Sequence, residues 1–145
     1  MSEADRVNLS CLCGQVKIAI NQRPDYVHAC NCTLCAKTGA HWSYFHPSEV
    51  RIEGRTRQYR RADKDDPSAS IHFCPECGST THFTLTESAI SQYGNVQLGA
   101  NMLLAEPGDL VGVELRYPDG RAWSGGEDFG YVRVPSIIGD NAASE

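Results

Sequence analysis

The chain has 145 residues, 41% of them hydrophobic and 21% charged, with a formal net charge of −5. A chain this long buries roughly 70% of its unfolded surface in one domain, so an ordinary hydrophobic core is available without metal or disulfide support. An acidic balance without a basic stripe argues against a nucleic-acid backbone or an anionic membrane as partner, and neither is expected.

Met1-Ser2-Glu3-Ala4-Asp5-Arg6 is polar with no apolar region behind it, so no signal peptide is expected. No apolar run reaches the length of a membrane span, and the expected compartment is a reducing cytoplasm. Val7 to Ile20 reads as two short strands broken at Cys13-Gly14, because Val16 to Ile20 alternates apolar and polar residues. Tyr26 to Ala29 reads as a strand, Thr33 to Thr38 as one helical turn ended by Gly39, and His41 to His46 as an aromatic strand. Val50 to Ile52 and Arg57 to Arg60 are short candidate strands split by Gly54. Asp63 to Pro67 is a charged loop, Ser70 to Phe73 and Thr80 to Thr86 are strands, and Gly94 to Leu103 has no clear pattern. Val111 to Tyr117 reads as a strand before the turn Pro118-Asp119-Gly120. Many short strands with frequent turn residues predict a single all-β domain over 1–137, followed by a flexible tail over 138–145.

The seven cysteines fall in three groups: Cys11 and Cys13; Cys30, Cys32 and Cys35; Cys74 and Cys77. An odd number cannot pair completely in disulfides, and the expected compartment disfavours them. Cys74-Pro75-Glu76-Cys77-Gly78 has the spacing of a zinc knuckle, in which two thiolates turn toward one ion and backbone N–H groups approach the sulfurs. A redox Cys-X-X-Cys would want a βαβ context, which the pattern lacks. A knuckle supplies two ligands, and a closed zinc site needs four. Cys11 with Cys13, or two of the central three, are both available to complete it. Seven splits naturally into four plus three. A Cys30-X-Cys32-X-X-Cys35 triplet then leaves one position open, unless His28 or His41 closes it. Zinc with three thiolates carries a formal charge of about −1, so it is a weak Lewis acid for water but suits a thiol substrate, which it takes as thiolate.

The stretches Cys11-Leu12-Cys13-Gly14, Cys30-Asn31-Cys32-Thr33-Leu34-Cys35-Ala36-Lys37-Thr38-Gly39-Ala40 and Phe73-Cys74-Pro75-Glu76-Cys77-Gly78 resemble the glutathione-dependent formaldehyde-activating enzyme family. That wider family also holds centromere protein V. The resemblance implies a zinc-binding β-tent fold of short antiparallel sheets. It implies two zinc ions per chain, one structural on Cys11, Cys13, Cys74 and Cys77, and one catalytic on Cys30, Cys32 and Cys35; an exposed three-cysteine site is open to metal loss or oxidation on handling. The implied activity is carbon–sulfur lyase chemistry, S-(hydroxymethyl)glutathione formation from glutathione and formaldehyde; the alternative reading is a non-enzymatic zinc-binding protein-interaction module, which would hold one tight zinc per chain where the enzyme holds two. The family's Leu-Asp-Asp-Pro-like stretch is replaced here by Gly94 to Asn101.

Other residues are candidates around the triplet. His28 and His41 are possible bases or ligands, and Trp42, Tyr44 and Phe45 are pocket or core aromatics. Arg57, Arg60 and Arg61 are carboxylate binders or a solvated edge, Asn31 offers its N–H to a sulfur, and Asn95 and Asn101 are polar pocket contacts. The expected partner is a small-molecule thiol. A homodimer is compatible with the sequence, which does not set the oligomeric state.

Overall fold

The computed structural model describes residues 6–123 and 130–139. In chain order these form β1 (Val7–Ser10), β2 (Lys17–Ile20), β3 (Tyr26–His28), α1 (Thr33–Thr38), β4 (Trp42–Phe45), β5 (Val50–Glu53), β6 (Arg57–Tyr59), β7 (Ala69–Phe73), β8 (Thr80–Leu85), α2 (Glu87–Tyr93), β9 (Leu98–Asn101), β10 (Glu114–Pro118) and β11 (Tyr131–Ile137). The fold is mostly β, as the density of short strands predicts, and no sheet closes into a barrel.

The strands make two sheets, a three-stranded one ordered β1-β2-β5 and an eight-stranded one ordered β11-β10-β3-β4-β9-β8-β7-β6. The small sheet follows directly from its alternation. Val7, Leu9, Ile18 and Ile20 point inward, and the residues between them face solvent. The inward set meets Val27, Phe45, Leu98 and Met102 of the large sheet and its margins, forming the main core. A bridge between Leu9 and Ala105 ties the sheets together.

One pairing departs from the antiparallel expectation. β3 pairs β4 on one side only, and β10 fills the other side in parallel, with Glu114 opposite Tyr26 and Arg116 opposite His28. Such a parallel neighbour requires a long crossover, here everything between β3 and β10. The ladder continues past the named strands: the Ala29 N–H donates to the Arg116 carbonyl at 2.8 Å, and the Asn31 N–H goes to the Pro118 carbonyl at 3.4 Å and not, as the sequence suggested, to a cysteine sulfur.

Three turns position the cysteines. Cys11 and Cys13 lie at the tip of the β1–β2 hairpin, and residues 74–77 at the tip of the β7–β8 hairpin. Cys30, Cys32 and Cys35 lie between β3 and β4, where α1 starts from Cys32 and ends at Gly39 in the left-handed conformation, φ 68°. Gly54 (φ 97°) lies against the first turn, where any Cβ would strike the Gln15 carbonyl.

Ile138 does not stand free of the domain. Its N–H donates to the Val113 carbonyl at 2.9 Å, its carbonyl accepts from Gly112 at 2.8 Å, and its side chain packs on the main core. The rest of the expected tail, 140–145, lies outside the described residues.

Candidate metal centre

The two hairpin tips converge. The sulfurs of Cys11, Cys13, Cys74 and Cys77 lie within 4.8 Å of one another. Cys13 Sγ is 3.7 Å from Cys11 Sγ and 3.7 Å from Cys74 Sγ. A disulfide would need about 2.05 Å. Four sulfurs around a zinc at about 2.3 Å stand roughly 3.8 Å apart in a tetrahedron, so this donor set fits zinc in both chemistry and spacing. Backbone N–H groups serve the sulfurs: Val16 donates to Cys11 Sγ at 3.2 Å and Glu76 to Cys74 Sγ at 3.4 Å. The Ser79 hydroxyl lies 3.3 Å from Cys77 Sγ and also accepts from the Leu12 N–H at 3.1 Å, so it joins the two tips. Hydrogen bonds from the Ser79 side chain and backbone pull the Cys77 thiol down to about 5.

The second cluster is Cys30, Cys32 and Cys35, whose sulfurs also lie within 4.8 Å of one another. The Cys32 N–H donates to Cys30 Sγ at 3.4 Å, and the Cys35 N–H to Cys32 Sγ at 3.3 Å, the latter capping α1. Thiol hydrogen bonds from Cys30 and Cys35 pull Cys32 far below the usual thiol range. The same crowding pushes Cys30 and Cys35 up, because neighbouring sulfurs resist carrying negative charge together. Among the described residues no histidine or carboxylate joins this cluster, which has three donors where a closed zinc site has four.

The neighbouring candidates separate by role. His28 is buried and its Nδ1 lies 3.1 Å from the Tyr44 hydroxyl. Burial, then the Arg116 charge, pulls His28 down to about 4. Tyr44 and Cys35 pack on the same apolar cluster, and burial raises the Tyr44 phenol well above the usual range, with the Cys35 sulfur adding to the effect. Trp42 is buried against Phe83 on the same face, while Phe45 turns into the main core. His41 lines a separate apolar recess with Val27 and Leu110. Asn101 is committed to the scaffold: it donates to the Thr80 carbonyl at 2.8 Å and accepts from the N–H groups of His41 and Leu103. Asn95 is exposed, as is Arg57 on β6. Arg60 bonds Ser70 and Glu87. Arg61 is held by both carboxylate oxygens of Asp63, at 2.6 and 2.8 Å. With Lys37, Thr33 and Tyr59 this pair lines a groove of about 800 Å³ along α1.

Ser79 and the segment 119–121 have no counterpart among the sequence candidates. The Asn31 side chain donates to Asp119 Oδ1 at 2.9 Å and accepts from the Arg121 N–H at 2.9 Å. The partners stand 88 and 90 residues away, so no local pattern marks them.

Fold and clusters together define a β-sheet domain with two cysteine centres suited to metal. Residues 6–106 match the family model described as glutathione-dependent formaldehyde-activating enzyme, and the chain belongs to that family. A crystal structure of a Rhodobacter sphaeroides protein is similar at a TM-score of 0.53 and 26% identity, covering 73% of this chain and 96% of that one. No curated protein matches the chain.

Proposed function

We propose that the chain is a zinc-dependent carbon–sulfur lyase acting on a glutathione-like thiol and a small aldehyde. Cys11, Cys13, Cys74 and Cys77 hold a structural zinc, and Cys30, Cys32 and Cys35 hold the catalytic one. The observation that carries this reading is the contrast between a complete four-sulfur cluster and a three-sulfur cluster with no fourth protein donor among the described residues. Zinc bound at the triplet supplies an open position that takes a thiol as thiolate and holds its sulfur in a fixed direction.

The chain's own residues do the rest. The N–H groups of Cys32 and Cys35 donate to ligand sulfurs and fix their directions. Leu34, Cys35 and Tyr44 all pack on the buried cluster of Ala40, Trp42 and Ile71, which gives this end of the site an apolar floor. Lys37 on α1 offers a cation to a carboxylate of a peptide thiol, and the Arg61–Asp63 pair lines the same groove and presents polar edges to it. In the forward reaction the thiol gives up its proton and its sulfur adds to the carbonyl carbon. A carbon–sulfur bond forms, the C=O π pair moves to oxygen, and that oxygen takes up a proton. Holding both reactants in one groove makes the step effectively unimolecular.

Elemental analysis before and after mild chelation, with NMR detection of S-(hydroxymethyl)glutathione, tests the proposal. Two zinc ions per chain, one of them chelator-labile and needed for turnover, is the expected result. One ion per chain, or full activity after loss of the labile ion, would sink it.

A further inference from the structure

We infer that the turn Asp119-Gly120-Arg121 is a positioning element of the three-cysteine site, supplied by a part of the chain beyond the family-matched residues 6–106. The inference rests on the reading of Cys30, Cys32 and Cys35 as metal ligands.

Two observations carry it. First, Asn31, between Cys30 and Cys32, is clamped by this turn and the residue before it. Its N–H donates to the Pro118 carbonyl at 3.4 Å and its Nδ2 to Asp119 Oδ1 at 2.9 Å. Its Oδ1 accepts from the Arg121 N–H at 2.9 Å, and its carbonyl accepts from Arg121 Nε at 3.2 Å. Backbone and side chain of the inter-ligand residue are thus fixed from one direction. Second, Gly120 lies directly on the cluster. A Cβ built there would overlap the Cys30 sulfur and stand 3.0 Å from the Cys32 Cβ. Gly120 has an ordinary backbone φ, which any residue can adopt. The position therefore requires glycine for space, not for conformation.

The physical consequence is a sulfur backed by main chain. The Cys30 side chain cannot rotate toward Gly120, and the Asn31 clamp prevents its own backbone from moving away. A ligand sulfur fixed in this way meets an ion without first paying the entropy of ordering its loop. The parallel β3–β10 ladder, which ends beside Asn31, is what delivers the turn to the cluster.

The test titrates Co2+ into protein that retains one zinc after mild chelation, following the thiolate-to-cobalt charge-transfer and d–d bands. Alkylation rates of individual cysteines are read in parallel by mass spectrometry. Gly120→Ala should weaken the second ion at least tenfold and shift its d–d bands, while the first zinc stays bound. Gly108→Ala, where an added Cβ meets nothing within 4 Å, should behave as wild type. Asn31→Ala removes the side-chain clamp without adding atoms and should weaken the second ion in the same direction. It decides the matter if Gly120→Ala does not fold. Wild-type affinity and spectrum in the deciding variant overturn the inference. If the wild-type protein itself takes only one ion, the metal reading fails, and Cys30 alkylation becomes the deciding measurement. A several-fold faster rate in the variant then keeps the turn as a clamp on Cys30, and an unchanged rate removes it.

Discussion

At the scale of single residues, the two cysteine clusters call for opposite outcomes from the same substitution. Cys35 packs on the apolar cluster of Ala40, Trp42 and Ile71 and belongs to a sulfur group separate from the four at the hairpin tips. On the proposed reading, Cys35→Ser should abolish binding of the second ion and lower turnover by more than about a hundredfold, while the melting temperature moves by only a few degrees; loss of about 1 kcal/mol shifts a domain of this size by roughly 2–8 °C. Steady-state kinetics and a thermal melt on the same preparation check both halves. A second residue-level outcome concerns His82. It is 2% exposed, its ring stacks on His72 at 4.1 Å, and burial followed by the His72 charge pulls it down to about 3. An unfolded histidine takes up its proton near 6.5. Between those two values the unfolded chain binds more protons than the folded one, so stability is full above about 6.5 and falls as the pH drops. At pH 5 this residue alone should lower stability by about 2 kcal/mol relative to pH 7. Urea titrations at both pH values on wild type and His82→Gln should show a smaller pH loss in the variant.

At the scale of elements, strands with one wet face were legible and strands without one were not. β1 and β2 alternate inward and outward, and their apolar residues announce it. β9 is buried at every position, so Leu98-Gly99-Ala100-Asn101 carries no period-two signal. It also contains a glycine that looks like a turn residue. Gly99 is there because the Phe83 ring occupies the space where a Cβ would stand. Gly99→Ala should thus force Phe83 to move and cost about 1–3 kcal/mol, measurable by chemical denaturation. α2 went unread although Thr86 caps it by accepting from the Ala89 N–H at 3.2 Å. Seven residues with only Ala89 buried leave too little periodicity to see. β11 carries Pro135 and is exposed along its whole length. Both facts hide a strand in the sequence, and both are tolerated here because β11 is an edge. β10 starts at Glu114 and not at Val111, because Gly112 (φ 93°) closes a turn first. The three cysteine groups, by contrast, were legible because each is local in sequence, whereas the meeting of Cys11 and Cys13 with Cys74 and Cys77 followed from the family resemblance and not from spacing. The Asn31 clamp was not, because its members meet only through a parallel pairing across most of the chain.

At the scale of the whole molecule, the four-cysteine cluster is a cross-link between distant parts of one domain. Cys13 and Cys74 are 61 residues apart in sequence, with their sulfurs at 3.7 Å. They belong to hairpins of different sheets, β1–β2 in the small sheet and β7–β8 in the large one. The apolar residues under this junction are few, chiefly Val16 and Ile52 beside the buried Cys11 and Cys74. The main core lies elsewhere, between Leu9, Ile18, Phe45 and Met102. Hydrophobic burial therefore holds the body of the molecule, and the junction depends on what joins the sulfurs. Ligand loss there differs in kind from ligand loss at the triplet. If a metal joins the four sulfurs as proposed, Cys74→Ser puts a poor zinc ligand, a buried hydroxyl, in place of a thiolate and unties the two hairpins at once. It should destabilise the fold by several kcal/mol, with poor soluble yield and a lowered, broadened thermal transition. Strong chelators at elevated temperature should reproduce that phenotype in wild type, and added zinc should reverse it. Hydrogen exchange gives the spatial check: protection should fall first in residues flanking 11–16 and 74–79, and last in β4 and β9 at the centre of the large sheet. Uniform loss of protection would instead mean that the cluster and the core unfold as a single unit, and the four sulfurs would then be no more local in effect than the core itself.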